Sequence, residues 1–229
     1  MQEQGSRNPR NLMTPRHIGF IMDGNGRWAT AQGLSRADGY PAGLLALRRV
    51  ISRCKERGVE AVSVYAFSTE NWARPDSEKE AIFRVVDTFN RTYDGDTKIT
   101  YSGNIAMLPD YLEDSICEIE DRTKDNPGTV LNICFNYGGR DDLLHAAEIC
   151  FSHGRFSKEA FERALASSHL PPLDCVVRTG GEMRLSNFML YEAAYAELIF
   201  LVKNWPDMDE TDVDKIIELF EKRKRTFGA

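Results

Sequence analysis

Six short runs rich in β-branched and aromatic residues, at 18–22, 61–67, 98–101, 130–135, 175–178 and 198–202, alternate with segments whose apolar residues recur at helical spacing. A mainly parallel sheet requires this alternation, because each parallel crossover passes over a face of the sheet and a helix is the element that covers it. The chain is therefore expected to be α/β, with a mainly parallel central sheet of about six strands covered by helices. Leu44, Leu47, Val50, Ile51 and Cys54 form one helical stripe, ending before Gly58, a suitable C-terminal stop. Val213, Ile216, Ile217 and Phe220 form another. Asp209 and Asp212 stand at its start and Lys222, Arg223, Lys224 and Arg225 at its finish, an order that complements the helix dipole. Thr92 to Asp96 reads as a tight turn into the third strand. No repeat, low-complexity segment or linker divides the chain, so 17–229 reads as one domain behind a flexible tail at 1–16.

Composition narrows the function classes. With 229 residues, 42% hydrophobic and 28% charged, the chain is expected to be soluble with a substantial core. A net charge of -6 argues against a general nucleic-acid binder, whose phosphate contacts need an extended basic surface; an anionic ligand must instead meet a local cluster of arginines. Cys54, Cys117, Cys134, Cys150 and Cys175 are odd in number and never paired as C-x-x-C, which points to neither a disulfide framework nor a zinc site. The first 16 residues lack the apolar core of a signal peptide, and no segment approaches the roughly 18–20 apolar residues of a membrane span. A cytoplasmic protein is expected, one that would handle any lipid from the aqueous side.

Ligands of open α/β sheets gather at the carboxyl ends of strands, and four strand-end segments carry unusual chemistry. The first strand runs into Asp23-Gly24-Asn25-Gly26-Arg27-Trp28, where glycines admit phosphate oxygens close to backbone N–H groups, Arg27 adds charged donors and Asp23 offers a hard oxygen to Mg²⁺. The second runs into Phe67-Ser68-Thr69-Glu70-Asn71-Trp72-Ala73-Arg74-Pro75 and the fifth into the segment from Arg178 to Phe188. Glu197 stands at the entry of the sixth. Each segment has a plain reading too. Asp23 can be a turn residue, Ser68 and Asn71 can cap the helix that starts near Pro75, and isolated arginines are commonly surface residues. The expected convergence of three arginines, a hydroxyl, an amide and two carboxylates at one sheet edge favours a site. No G-x-x-x-x-G-K-[ST] is present, Gly24-x-Gly26 lacks the third glycine of a dinucleotide fingerprint, and Asn25 stands where an aspartyl-phosphate enzyme would need a second Asp. An uncommon diphosphate chemistry is left.

Residues 17–29, 67–75, 136–140 (Asn-Tyr-Gly-Gly-Arg) and 174–200 together resemble the signature blocks of the cis-prenyltransferases, and the resemblance runs from His17 to the C-terminus. It implies the fold of undecaprenyl diphosphate synthase and a homodimeric, Mg²⁺-dependent transferase. Such an enzyme condenses isopentenyl diphosphate with an allylic diphosphate to give a Z-polyprenyl diphosphate, with an undecaprenyl-type carrier-lipid precursor as the expected product. It further implies transient association with a membrane surface. Carried over by position, Asp23 is the metal and diphosphate residue, and Gly24, Asn25, Gly26, Arg27, Arg36 and Arg74 surround the diphosphates. Trp28 and Trp72 are aromatic substrate contacts, while Ser68 and Asn71 orient or deprotonate the incoming alkene. Arg178, Arg184 and Ser186 form the isopentenyl diphosphate site, with Glu197 a second Mg²⁺ contact that can act across the dimer. Thr69, Glu70 and Leu185 fall within the same blocks and join the substrate-binding set.

Three departures stand against the family pattern. Tyr40 takes the place of a histidine near the diphosphates, Thr226 that of an arginine in the C-terminal motif, and the segment 81–99 is shorter by roughly three helical turns. Ile82, Phe83, Val85, Val86 and Phe89 on that segment are candidates to line the product tunnel, with ordinary core packing as the alternative. The departures keep open a same-fold transferase with a short product or a non-standard acceptor. A non-catalytic partner subunit is disfavoured because Asp23, Asn25, Arg27, Asn71 and Glu197 are all present.

Overall fold

The structure, a computed structural model, describes residues 14–223. Its order is β1 (His17–Ile21), α1 (Asn25–Ala31), α2 (Gly39–Glu56), β2 (Ala61–Ser68), α3 (Asp76–Thr92), β3 (Lys98–Ser102), α4 (Asp110–Thr123), β4 (Val130–Tyr137), α5 (Gly139–Ser152), α6 (Lys158–Ala164), β5 (Cys175–Arg178), β6 (Glu197–Phe200) and α7 (Glu210–Glu221). The six strands form one sheet in the order β3-β4-β2-β1-β5-β6, with every pairing parallel. This is the architecture the alternating pattern predicts. β1 and β5 are buried at every position, because helices cover both faces and leave no solvated side to demand a polar alternation.

Chain direction places the site. From β1 the chain winds outward to β2, β3 and β4, then returns to lay β5 on the other flank of β1. The crevice above β1 and β5 is a topological switch point, where the loops leaving neighbouring strands part in opposite directions. One large apolar cluster carries Ile18, Phe20, Val62, Val64 and Phe67 from the sheet against α2, α3, α4 and α7; a smaller one packs Tyr137, Val176, Phe188 and Met189 on the opposite face. α2 ends at Glu56, two residues before Gly58, and α7 begins after Asp209, whose carboxylate accepts the Thr211 and Asp212 N–H groups at 2.9 and 3.1 Å.

The sixth strand opens on Glu197 itself, and register overturns the expectation that this carboxylate shares an edge with Asp23. Glu197 lies beside Cys175, which lies beside Ile18, so Glu197 sits at the amino-terminal edge of the sheet. Asp23 is five residues further along that direction, about 16 Å away at strand spacing. Arg16 anchors the entry to β1 through its N–H to Asp174 (2.6 Å) and an ion pair with Glu60 (2.7 Å). Residues 1–13 of the expected tail, and Thr226, lie outside the described residues.

Candidate active site

Asp23 is held by its main chain before its side chain acts. Its carbonyl accepts the Trp205 N–H at 3.0 Å and the Thr179 hydroxyl at 2.7 Å. Gly24 then turns the chain into α1 at φ +104°, a left-handed conformation that suits glycine. The two carboxylate oxygens of Asp23 are separately occupied: Oδ1 by Arg27, one turn on, at 2.9 Å, and Oδ2 by Arg178 at 3.0 Å. Burial alone would raise the Asp23 carboxyl, but the Arg178 hydrogen bond and the Arg27 charge outweigh it and hold the group below its ordinary value. Asp23 is an anion throughout the neutral range.

Arg178 closes β5 opposite Ile21 and is 5% exposed. Its Nη1 donates to the Ser186 hydroxyl (2.6 Å) and to the Arg184 carbonyl (2.7 Å), while Nη2 takes Asp23. The guanidinium is thus engaged mainly in joining the β1 and β5 loops. Of its nitrogens only Nε, buried and without a hydrogen-bond partner among the described residues, remains uncommitted. Ser186 and Asn187 adopt φ of +49° and +66°, so the loop is bent tightly around the arginine. Arg184, more than half exposed, pairs with Glu182 at 2.6 Å and reaches the cavity mouth.

A second cationic group faces the first. Arg36 lies over Gly26, where even a Cβ would stand 3.0 Å from the guanidinium carbon, so the bare backbone is what admits it. Arg36 Nε donates to Glu78 at 3.1 Å, the Tyr40 hydroxyl donates to the same carboxylate at 3.3 Å, and Arg74 donates to the Tyr40 oxygen at 2.9 Å. Burial, aided by Glu78 and opposed by Arg74, raises the Tyr40 phenol, which therefore stays protonated at neutral pH. Asn71 Oδ1 accepts the Ser68 N–H at 3.2 Å, so these two residues brace the 3₁₀ turn Thr69–Ala73 and not the helix beyond Pro75. With its oxygen engaged, Asn71 presents N–H donors to a ligand.

These groups ring one end of a cavity of about 780 Å³ whose other end is apolar, walled by Leu44 and Leu47 of α2 and by Ile82, Val85, Val86 and Phe89 of α3. Four of the five candidate tunnel residues therefore line it. Phe83 does not; it packs between Phe67, Trp72 and Phe135 at ring separations of 5.3 to 5.9 Å. Gly24, Asn25, Ser68 and Glu70 line the cavity, whereas Trp28, Thr69, Trp72, Leu185 and Glu197 do not. Trp28 donates to Asp207 (2.8 Å), Trp72 to Asn136 (2.8 Å) and Thr69 to Asp141 (3.1 Å). Leu185 packs on the smaller apolar cluster, and Glu197 lies 3.8 Å from Arg223. Sequence reasoning missed Glu78, which i,i+4 spacing from Arg74 could have revealed, and Arg140, which it quoted in a matched block without a role.

Residues 21–228 match the model of a protein family described as "Putative undecaprenyl diphosphate synthase". The chain belongs to this family of prenyltransferases. An isoprenyl transferase from Leptospira interrogans is 41% identical, with 94% of this chain and 95% of the relative covered. A Shewanella oneidensis relative named ditrans,polycis-undecaprenyl-diphosphate synthase, specific for (2E,6E)-farnesyl diphosphate, is 39% identical over 93% of this chain and 82% of its own. Among solved structures, lavandulyl diphosphate synthase from Lavandula x intermedia, in complex with dimethylallyl diphosphate, superposes with a TM-score of 0.90 at 29% identity, covering 95% of this chain and 99% of the other. Family membership makes the chain a prenyl transferase of the cis type, and its polar-ended, apolar-bodied cavity has the form such a substrate needs.

Proposed function

We propose that the protein condenses isopentenyl diphosphate with an allylic diphosphate, with Mg²⁺ as cofactor, to give a Z-polyprenyl diphosphate of the undecaprenyl type. The observation that carries this reading is the joining, in one cavity, of a carboxylate-arginine cluster to an aliphatic channel: one end fits a diphosphate, the other a prenyl chain. Asp23 is an ionised hard-oxygen donor beside arginines, which fits Mg²⁺, an ion commonly held by one or two carboxylates plus substrate phosphates. When bound, Mg²⁺ supplies charge stabilisation for the departing diphosphate.

The chain's own residues account for the rest. Arg27, Arg36 and Arg74 are positioned to take phosphate oxygens, and Arg178 and Ser186 hold the loop that carries Arg184 toward the acceptor. Asn71 donates an N–H to orient the acceptor, and apolar walls keep water from the allylic cation. A homodimer is part of the reading. It is supported by Glu197 lying on the outermost strand, away from this chain's own Asp23, and by the exposed Leu198 and Tyr195 beside it. Action from the cytoplasmic side at a membrane surface accords with the absence, among the described residues, of any helix long and apolar enough to cross a membrane.

A shorter product or a different acceptor is the second reading, supported by the superposition on lavandulyl diphosphate synthase and by Tyr40. The test is incorporation of labelled isopentenyl diphosphate with dimethylallyl, geranyl and farnesyl donors, with and without EDTA. Long-chain product that EDTA abolishes is expected; no incorporation with any donor would overturn the reading.

A further inference from the structure

Six arginines line the cavity, and five of them already face carboxylates. Arg27 and Arg178 share Asp23, Arg36 and Arg74 face Glu78, and Arg184 holds Glu182. Arg140, the second residue of α5, is the exception: it is exposed, and its guanidinium makes no hydrogen bond or ion pair among the described residues. Its place is nonetheless fixed, because its N–H donates to Asn187 Oδ1 at 2.9 Å. The Asn187 carbonyl accepts the Gly139 N–H at 2.7 Å, and its side-chain amide donates to Glu70 at 3.0 Å. One residue thus ties the start of α5 and the turn after β2 to the loop after β5, and its chain neighbour Ser186 accepts a hydrogen bond from Arg178. Glu70 is engaged by that amide and not by the arginine.

We infer that Arg140 binds the diphosphate of the acceptor, as a cation added to the group formed by Arg184 and Ser186. This rests on the function proposed above. An arginine that already faces a carboxylate gains only the difference between two anions when a phosphate arrives, whereas Arg140 exchanges water for phosphate and keeps the whole gain. The tether decides which diphosphate it meets. Asn187 belongs to the β5 loop, beside Arg184 and Ser186, while Arg36, Tyr40 and Arg74 are gathered around Glu78. Exposure adds a second effect: a solvent-facing charge at the mouth draws an anion in before contact is made, and salt screens that attraction.

Steady-state kinetics of the full chain, with Mg²⁺ and with farnesyl and labelled isopentenyl diphosphates varied in turn, test the assignment. Arg140→Gln should raise KM for isopentenyl diphosphate about ten-fold or more, the loss of one charge-assisted hydrogen bond, while KM for farnesyl diphosphate stays within about two-fold and kcat changes less than the acceptor KM. Its Tm should equal the parent's, because the guanidinium holds nothing in the fold. Arg140→Lys should recover part of the loss, and kcat/KM for the acceptor should fall less steeply with ionic strength in Arg140→Gln than in the parent. Equal rises in both KM values, or an acceptor KM that does not move, would overturn the assignment and leave the proposed function in place. A parent protein that incorporates no isopentenyl diphosphate with any donor would overturn the proposed function. Calorimetric titration with inorganic pyrophosphate still reads Arg140 in that case: weaker binding by Arg140→Gln would uphold its role as an anion-binding residue, and equal binding would overturn that role too.

Discussion

Replacing Arg178 by lysine keeps the charge and removes the fork. The guanidinium makes three charge-assisted contacts at 2.6, 2.7 and 3.0 Å, to Ser186, the Arg184 carbonyl and Asp23. An ammonium on a shorter reach can replace one of them. Hydrogen bonds to charged groups are worth about 1.5–3 kcal/mol each, and the Asp23 contact is discounted because that carboxylate is partly solvated, so Arg178→Lys should destabilise the fold by about 3–4 kcal/mol. For a domain of this size that corresponds to a fall in Tm of roughly 6–16 °C. A second signature is specific to the site. Asp23 is held below its ordinary pKa largely by Arg178, and a depressed carboxylate acts above its pKa and fails as pH falls through it. Weakening the arginine bond must move the acid limb of kcat/KM upward. Incorporation assays from pH 4 to 8 and urea unfolding at pH 7 read both effects, and Ser186→Ala combined with Arg178→Lys should show a coupling of about 0.5–3 kcal/mol. A lysine variant with parental stability and an unmoved acid limb would refute the view that Arg178 organises Asp23.

The buried His17, held neutral by burial and lowered to about 4, donates to the Pro171 carbonyl and accepts from Ser63; since its unfolded value is higher, its contribution is complete above about pH 6.5 and lost on acidification. Urea unfolding at pH 7 and pH 5 should therefore differ by about 2 kcal/mol through this group, and His17→Asn should remove that difference. Phe83→Ala should cost about 3–5 kcal/mol in stability yet leave product length alone, because the ring packs behind the cavity wall; altered length would return Phe83 to the channel. Asn71→Asp retains an oxygen for the Ser68 N–H but loses the donor and adds a charge near the diphosphate, so kcat/KM should fall at least ten-fold; a full rate with unchanged pH dependence would exclude a donor role.

Element types were legible because they depend on periodicity. The strand runs and the apolar stripes of α2 and α7 follow from spacing alone, and most predicted strand ends fall within two residues of those observed. The residues just after β1, β2 and β5 converge because parallel strands point their loops the same way. The expectation that Glu197 shares their edge fails for the same reason: it opens its strand, and direction places it at the opposite edge. Sequence marks Trp28 and Trp72 as aromatic but not which way the rings turn, and a hydrogen bond from each indole keeps it out of the cavity. Phe83 and Val86 stand only about 60° apart on one helix face, and both are buried in the large cluster, yet that offset brings Val86 alone to the channel, a difference spacing does not resolve. For Glu78 the sequence held half of the signal, its i,i+4 spacing from Arg74; the other half, its bond to Arg36 42 positions away, is a contact that only packing creates.

The pairing of β1 with β5 also governs when the site comes into being. Asp23 and Arg178 are 155 positions apart, and everything from β1 to β4 can be synthesised before either finds the other. Until β5 docks, β1 is an edge strand with unpaired backbone and an apolar flank, the kind of surface on which partly folded chains associate. Non-local parallel pairing is slow to form because loop closure must precede its reward. The contact between Asp23 and Arg178 waits on that pairing, and a nascent or truncated chain that ends before residue 178 has the apolar helices of the cavity but not the Asp23–Arg178 ion pair. Competence to bind substrate becomes a report on completion of the whole sheet.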